Sequence, residues 1–172
     1  MAELEVEEHI HHAHEPFDKL VAGTMATIAA LLAIVSVLGQ HFTTENLLRQ
    51  QQSSDQWAFY QAKNIRRYVA GATSDLLTQA KADPKSLQKY GQDSERYEKD
   101  MESIKEKAEA LEKQSESAGE RAESFHMGEV FLEIGIVLSS LAILTKQKGF
   151  FYGGGAASAV GLVLAGRAYL MR

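Results

Sequence analysis

Apolar and polar positions along this chain fall into long blocks instead of mixing at short range. Leu20–Gly39 is a run of twenty residues without a charge, long enough to cross a bilayer as a helix. Met127–Thr145 and Phe150–Met171 are two more apolar stretches of spanning length, separated only by the basic turn Lys146-Gln147-Lys148-Gly149. Between the first and second lies a polar stretch, His41–His126, which Asp83-Pro84 divides into nearly equal halves. The pattern predicts an all-α membrane protein. Three transmembrane helices carry a long antiparallel coiled-coil helical hairpin inserted between the first and second spans. The expected organisation is an acidic, His-rich tail (1–15), a first transmembrane helix (16–40), an extramembrane helical hairpin (41–126, turn near 83–84), a second transmembrane helix (127–145) and a third (150–171).

The polar halves carry a helical period. From Tyr97 the core-type positions are Met101, Ile104, Ala108, Leu111, Ser115, Ala118, Ala122 and Phe125, a strict alternation of four and three that Leu87 and Tyr90 extend backwards. That is a heptad seam, and the residues between are mostly Glu, Lys, Gln and Ser. The other arm offers Ala58, Ala62, Ile65, Val69, Ala72 and Leu76 at the same spacing, and these are expected to face the first seam. A residue before proline is disfavoured in a helix, so the first arm should stop near Ala82. The second arm should run without a break into the second span, and the hairpin should stand as a stalk. So thin a stalk buries little, which predicts packing against copies of itself or against a partner.

Composition narrows the function classes. The only prolines, Pro16 and Pro84, each sit where a long helix should begin or end. The absence of cysteine excludes disulfides, thiolate metal sites and cysteine nucleophiles. A net charge of −5 argues against nucleic acid as a partner. Glu3, Glu5, Glu7 and Glu8 occupy what would be the cationic start of a secretory signal, so the first apolar segment is expected to be a retained anchor. No phosphate loop, nucleophile elbow or helical zinc-protease pair occurs. The chain is therefore expected not to be an enzyme, and no cofactor is called for.

Several residues stand out against this background. Glu129 and Glu133 lie one turn apart within the second span, and Arg167 lies in the third. Intramembrane charges are costly and usually face a bundle interior or water. They are expected to form a salt bridge between Arg167 and Glu129, or an ion or proton site around Glu133. A turn at 83–84 sets His41 opposite His126, with Glu45 near, as a possible metal or pH site at the membrane surface. His9, His11, His12 and His14 could hold a metal loosely. Ala22, Ala26 and Ala30 in the first span, and Ala157, Gly161 and Ala165 in the third, are stripes of small residues that let helices approach closely. Trp57, Tyr60 and Lys63 are an aromatic cluster expected either at an interface with another hairpin or partner, or packed within the hairpin around Lys105–Leu111.

The string Ser54-Asp55-Gln56-Trp57-Ala58-Phe59-Tyr60-Gln61-Ala62-Lys63 is the most distinctive in the chain. Together with the acidic, His-rich start, the Tyr97-Glu98-Lys99 arm and the basic turn before Phe150 and Phe151, it resembles the bacterial membrane-protein family catalogued as domain of unknown function 4337. The resemblance covers nearly the whole chain. It implies a multi-pass protein of the bacterial inner membrane with three spans and a helical insert, and it brings no activity with it.

Lys146 and Lys148 in the short turn place that turn in the cytoplasm by the positive-inside rule. The N-terminus is then cytoplasmic and the stalk periplasmic. The leading expectation is a non-enzymatic, oligomeric membrane scaffold in the lipid bilayer, associating with itself or with another membrane protein. The alternatives are a homo-oligomeric ion channel or transporter lined by Glu129 and Glu133, and an accessory subunit of a larger membrane complex.

Overall fold

The computed structural model describes residues 16–170, all of them in three helices and the turns that join them. Helix α1 spans Pro16–Gln79, α2 spans Pro84–Thr145 and α3 spans Lys148–Leu170. All three are long and apolar enough to cross a membrane. The His-rich tail, with His9, His11, His12 and His14, lies outside the described residues.

The helix ends follow from local chemistry. Pro16 occupies the first turn of α1, where an amide N–H has no intrahelical partner and its loss costs nothing. At the other end Lys81 adopts a left-handed backbone (φ 48°), and the Ala82 N–H donates to the Leu77 carbonyl at 3.0 Å, closing the last turn. Pro84 opens α2, with the N–H groups of Ser86 and Leu87 reaching back to the Asp83 carbonyl at 3.1 and 3.3 Å. α2 stops the same way, at left-handed Lys146 (φ 56°).

The described chain gathers into two compact units, to both of which α1 and α2 contribute. The first comprises the chain up to Thr43 and from Gly119 onward. Its core draws Ile28 and Val35 from α1, Phe125 and Leu132 from α2, and Ala165 and Ala168 from α3. Where α2 meets α3 the backbones nearly touch. A side chain at Gly128 would meet the Gly161 carbonyl at 2.8 Å, and one at Gly154 would meet the Gly135 carbonyl at 2.7 Å. Ser139 and Ser158 are buried there, each donating to a carbonyl of its own helix, Gly135 at 2.8 Å and Gly154 at 2.9 Å. Their hydroxyls are thereby satisfied without a partner across the interface.

The small-residue stripes are only partly where the spacing put them. Gly161 and Ala165 are buried in this contact and Ala157 is half-buried, but Ala22, Ala26 and Ala30 are all exposed. α1 enters the core through the larger Val21, Ile28 and Val35 instead. A helix has one inward face, and the branched side chains take it because they remove more apolar surface from contact with the surroundings.

The second unit is Thr44–Ala118, built from α1 and α2 alone. On α2 the expected seam faces inward: Met101, Ile104, Ala108, Ser115 and Ala118 are buried. On α1 the expected seam faces outward. Ala58, Ala62, Ile65, Val69, Ala72 and Leu76 are all exposed. The residues turned toward α2 are Asn46, Arg49, Ser53, Gln56, Tyr60, Lys63, Arg67, Ala70, Ser74 and Leu77, again in a three–four alternation. This inner seam is mostly polar and held by hydrogen bonds. Ser53 donates to the Ala108 carbonyl at 3.1 Å, Ser115 donates to Asn46 Oδ1 at 2.6 Å, and Lys63 and Arg67 pair with Asp100 and Glu98 at 2.7 and 3.3 Å.

Candidate functional site

Polar side chains collect at two places, one in each unit. In the first unit the collection centres on His126. Its Nε2 lies 3.1 Å from Thr43 Oγ1 of α1, and its Nδ1 lies 3.2 Å from Glu129 Oε2 one turn along α2. Ser36 of α1 lies beside Glu129, so this polar collection draws on both helices. Thr43 in turn donates to the Gly39 carbonyl at 2.9 Å. A hydroxyl has one proton, so a Thr43 that donates to Gly39 accepts from His126.

The setting is tight and aromatic on one side. A side chain at Gly39 would lie 3.2 Å from Phe125 Cβ and 3.6 Å from the His126 ring. Phe42 and Phe125 stack at 5.6 Å with planes 9° apart, and the Arg121 guanidinium sits 5.4 Å from the Phe42 ring centre. Phe125, only 1% exposed, is among the most buried side chains of the unit.

In the second unit the centre is Lys63. Its ammonium bonds Asp100 at 2.7 Å and lies 5.2 Å from the Tyr97 ring and 5.5 Å from the Phe59 ring. The Lys63 hydrogen bond holds the Asp100 carboxyl below its ordinary range, against a smaller opposing effect of burial and with help from the charges of Lys63 and Arg96. Trp57 stands edge-on to Tyr60 at 5.6 Å and lines a shallow groove with Ser53, Glu112 and Ser115. Cation and aromatic alternate along this seam, since Arg67 lies 4.8 Å from the Tyr68 ring and Arg96 lies 5.2 Å from Tyr97.

A family model described as domain of unknown function (DUF4337) matches residues 17–171, nearly the whole chain. The chain belongs to this family. No curated protein and no solved structure matches it.

In this DUF4337 member the sequence-derived site residues are distributed differently from expectation. Glu129 does not pair with Arg167. Gly128 backs onto Gly161 and Ala165, so α3 sits about one turn out of the expected register, and Arg167 falls past Glu129 with its side chain exposed. Glu133 is exposed on the outer face of α2, not in the interior of the first unit. His41 is exposed, its ring edge-on to Phe42 at 5.3 Å, and Thr43 takes the place beside His126 that was expected for it. Glu45 belongs to the second unit and pairs with Arg49 at 3.7 Å. Among the described residues no group of three or more His, Asp or Glu side chains is placed to hold a metal ion.

Trp57, Tyr60 and Lys63 meet the α2 side of their own unit, near Asp100 and Glu112–Glu116. Sequence reasoning missed Ser36, Gly39, Thr43, Asp100 and Glu98. The register set by the 83–84 turn was the signal that pointed near them: it aligned the neighbourhood of His41 with His126, but it did not say which side of the α1 turn would face inward.

Proposed function

We propose that this protein is a non-enzymatic, self-associating integral membrane scaffold with an extramembrane helical hairpin. One observation carries the reading. In Thr44–Ala118 the buried apolar residues are Ala70, Met101, Ile104, Ala108 and Ala118, and three of the five are alanines. Two helices joined by so small an apolar interior lack the second layer that usually covers a helix's outer face. Packing against copies supplies it.

The contacts within the unit support an antiparallel coiled coil. Asn46, Ser53, Lys63 and Arg67 meet Ser115, Ala108, Asp100 and Glu98, so numbers fall along α2 as they rise along α1, and both inner seams keep heptad spacing. We place the protein in the bacterial inner membrane with the N-terminus and the Lys146–Lys148 turn in the cytoplasm and the hairpin in the periplasm. Two contacts in the first unit support the first pairing: Lys146 bonds Asp18 at 2.7 Å, and Phe17 meets Phe151 edge-on at 5.9 Å.

The test is the native mass of the wild-type complex released gently from its own membrane. A discrete multiple of 19.0 kDa is the expected result. A single-chain mass would overturn the scaffold reading, and a mass containing other chains would make the protein an accessory subunit. A second reading, a homo-oligomeric channel, is favoured by one observation: Glu133 is exposed on a membrane-type helix, where lipid is a poor neighbour for a carboxylate.

A further inference from the structure

Every large apolar side chain exposed in Thr44–Ala118 belongs to α1. These are Leu47, Leu48, Phe59, Ile65, Tyr68, Val69 and Leu76, and α2 contributes none. Ile65, Val69 and Leu76 are 64%, 60% and 65% exposed. With Ala58, Ala62 and Ala72 they fall at intervals of four, three, four, three and four. An isolated helix has no reason to keep that interval on its solvent side. The 3.5-residue average is what a left-handed supercoil needs to keep one stripe against a second helix. α2 already meets the opposite, polar side of α1, so this stripe is a second and vacant seam.

We propose that Ala58, Ala62, Ile65, Val69, Ala72 and Leu76 form the contact between two copies of this chain, α1 against α1. This rests on the self-association reading above and names its surface. The alternative within a homo-oligomer, α1 of one copy against α2 of another, fails on chemistry. At the height of the stripe the outer face of α2 carries Gln88, Gln92, Glu95, Lys99 and Glu102, which offer no apolar counterpart.

The flanks of the stripe fit a twin. In a same-direction pair, the positions bordering the seam bring Gln61 of one copy beside Arg66 of the other, and Tyr68 beside Thr73. No two like charges meet. Fewer than three heptads with three alanine layers bind weakly in dilute solution. Copies anchored in one bilayer are held at a high effective concentration, which makes a weak seam sufficient.

The chain has no cysteine, so each single substitution introduces one thiol. The test uses the full-length protein in its own membrane, with Ala62→Cys, Val69→Cys and Leu76→Cys on the stripe and Gln92→Cys and Lys99→Cys at the same height on the outer face of α2. All five positions are exposed, so folding is not at stake. Under mild oxidation at least one stripe variant is expected to give a product of twice the chain mass that neither control gives. Equal cross-linking by stripe and control thiols, or none from the stripe, overturns the proposal. A product joined through a bifunctional maleimide to a different chain also overturns it, in favour of a heterologous helical partner. The wild-type native mass separates the two levels of failure. An oligomer without stripe cross-links means the surface is wrong while self-association stands, and a monomer means that both fall.

Discussion

Lys63 shows how a single side chain is committed by its neighbours. Its ammonium is held by Asp100 between two aromatic rings, and it links α1 to α2 inside the second unit. The stability tied to this bond depends on an ionised Asp100. Because the carboxyl is held below its ordinary range, the contribution is complete above the carboxylate range of the unfolded chain. It is lost as the pH falls through the depressed value. Asp100→Asn is therefore expected to lower the melting temperature at neutral pH, and the gap from wild type should close in acid. Thermal melts of the detergent-solubilised protein across that pH range check it. A gap that stays constant with pH would show that the bond carries no charge-dependent stability. From sequence, Lys63 stood out only because it follows a conspicuous Trp and Tyr. Its partner lies thirty-seven residues away on another helix, and local pattern carries no such information.

At the scale of the helix, period was legible and phase was not. The seam of α2 was read correctly because its apolar and charged faces differ sharply. α1 carries two heptad stripes, one apolar and one polar, and the rule that apolar residues face inward chose the wrong one. The polar stripe turns inward because α2 offers Asp100, Glu98 and the Ala108 carbonyl as partners. α3 is a different case, in which the absence of side chains sets the distance. Gly161 lets α3 approach until an added Cβ would stand 2.6 Å from the Gly128 carbonyl, and that is backbone that cannot step aside. Gly161→Ala is expected to destabilise the protein by about 1–3 kcal/mol. Gly155→Ala, with nothing within 4 Å, should be neutral or slightly stabilising. Unfolding of both variants in mixed micelles measures the contrast, and equal effects would mean that close approach is not what these glycines provide.

For the molecule as a whole, block composition made the three membrane-type helices readable at once. The placement of charges within them was not, because the α2–α3 register was off by about a turn. Glu133 itself faces outward because Leu132, Gly135 and Ser139 take the inner face of α2, and a carboxylate within a membrane-type helix costs roughly 3 kcal/mol unless protein or water covers it. Glu133→Gln is expected to leave the native mass of the complex unchanged. If wild-type proteoliposomes conduct cations and the variant does not, the channel reading replaces the scaffold.

The turn between α1 and α2 bears on how copies of the chain can combine. Fusing the two helices into one rod would place Pro84 in a helix interior, at a cost of about 3 kcal/mol, and would give up the left-handed stop at Lys81. Exchange of arms between neighbouring molecules through one continuous helix needs just such an opened form. The proline therefore acts as a lock against that route to domain swapping. Under the scaffold reading proposed above, copies would meet as closed units and separate again without any of them unfolding.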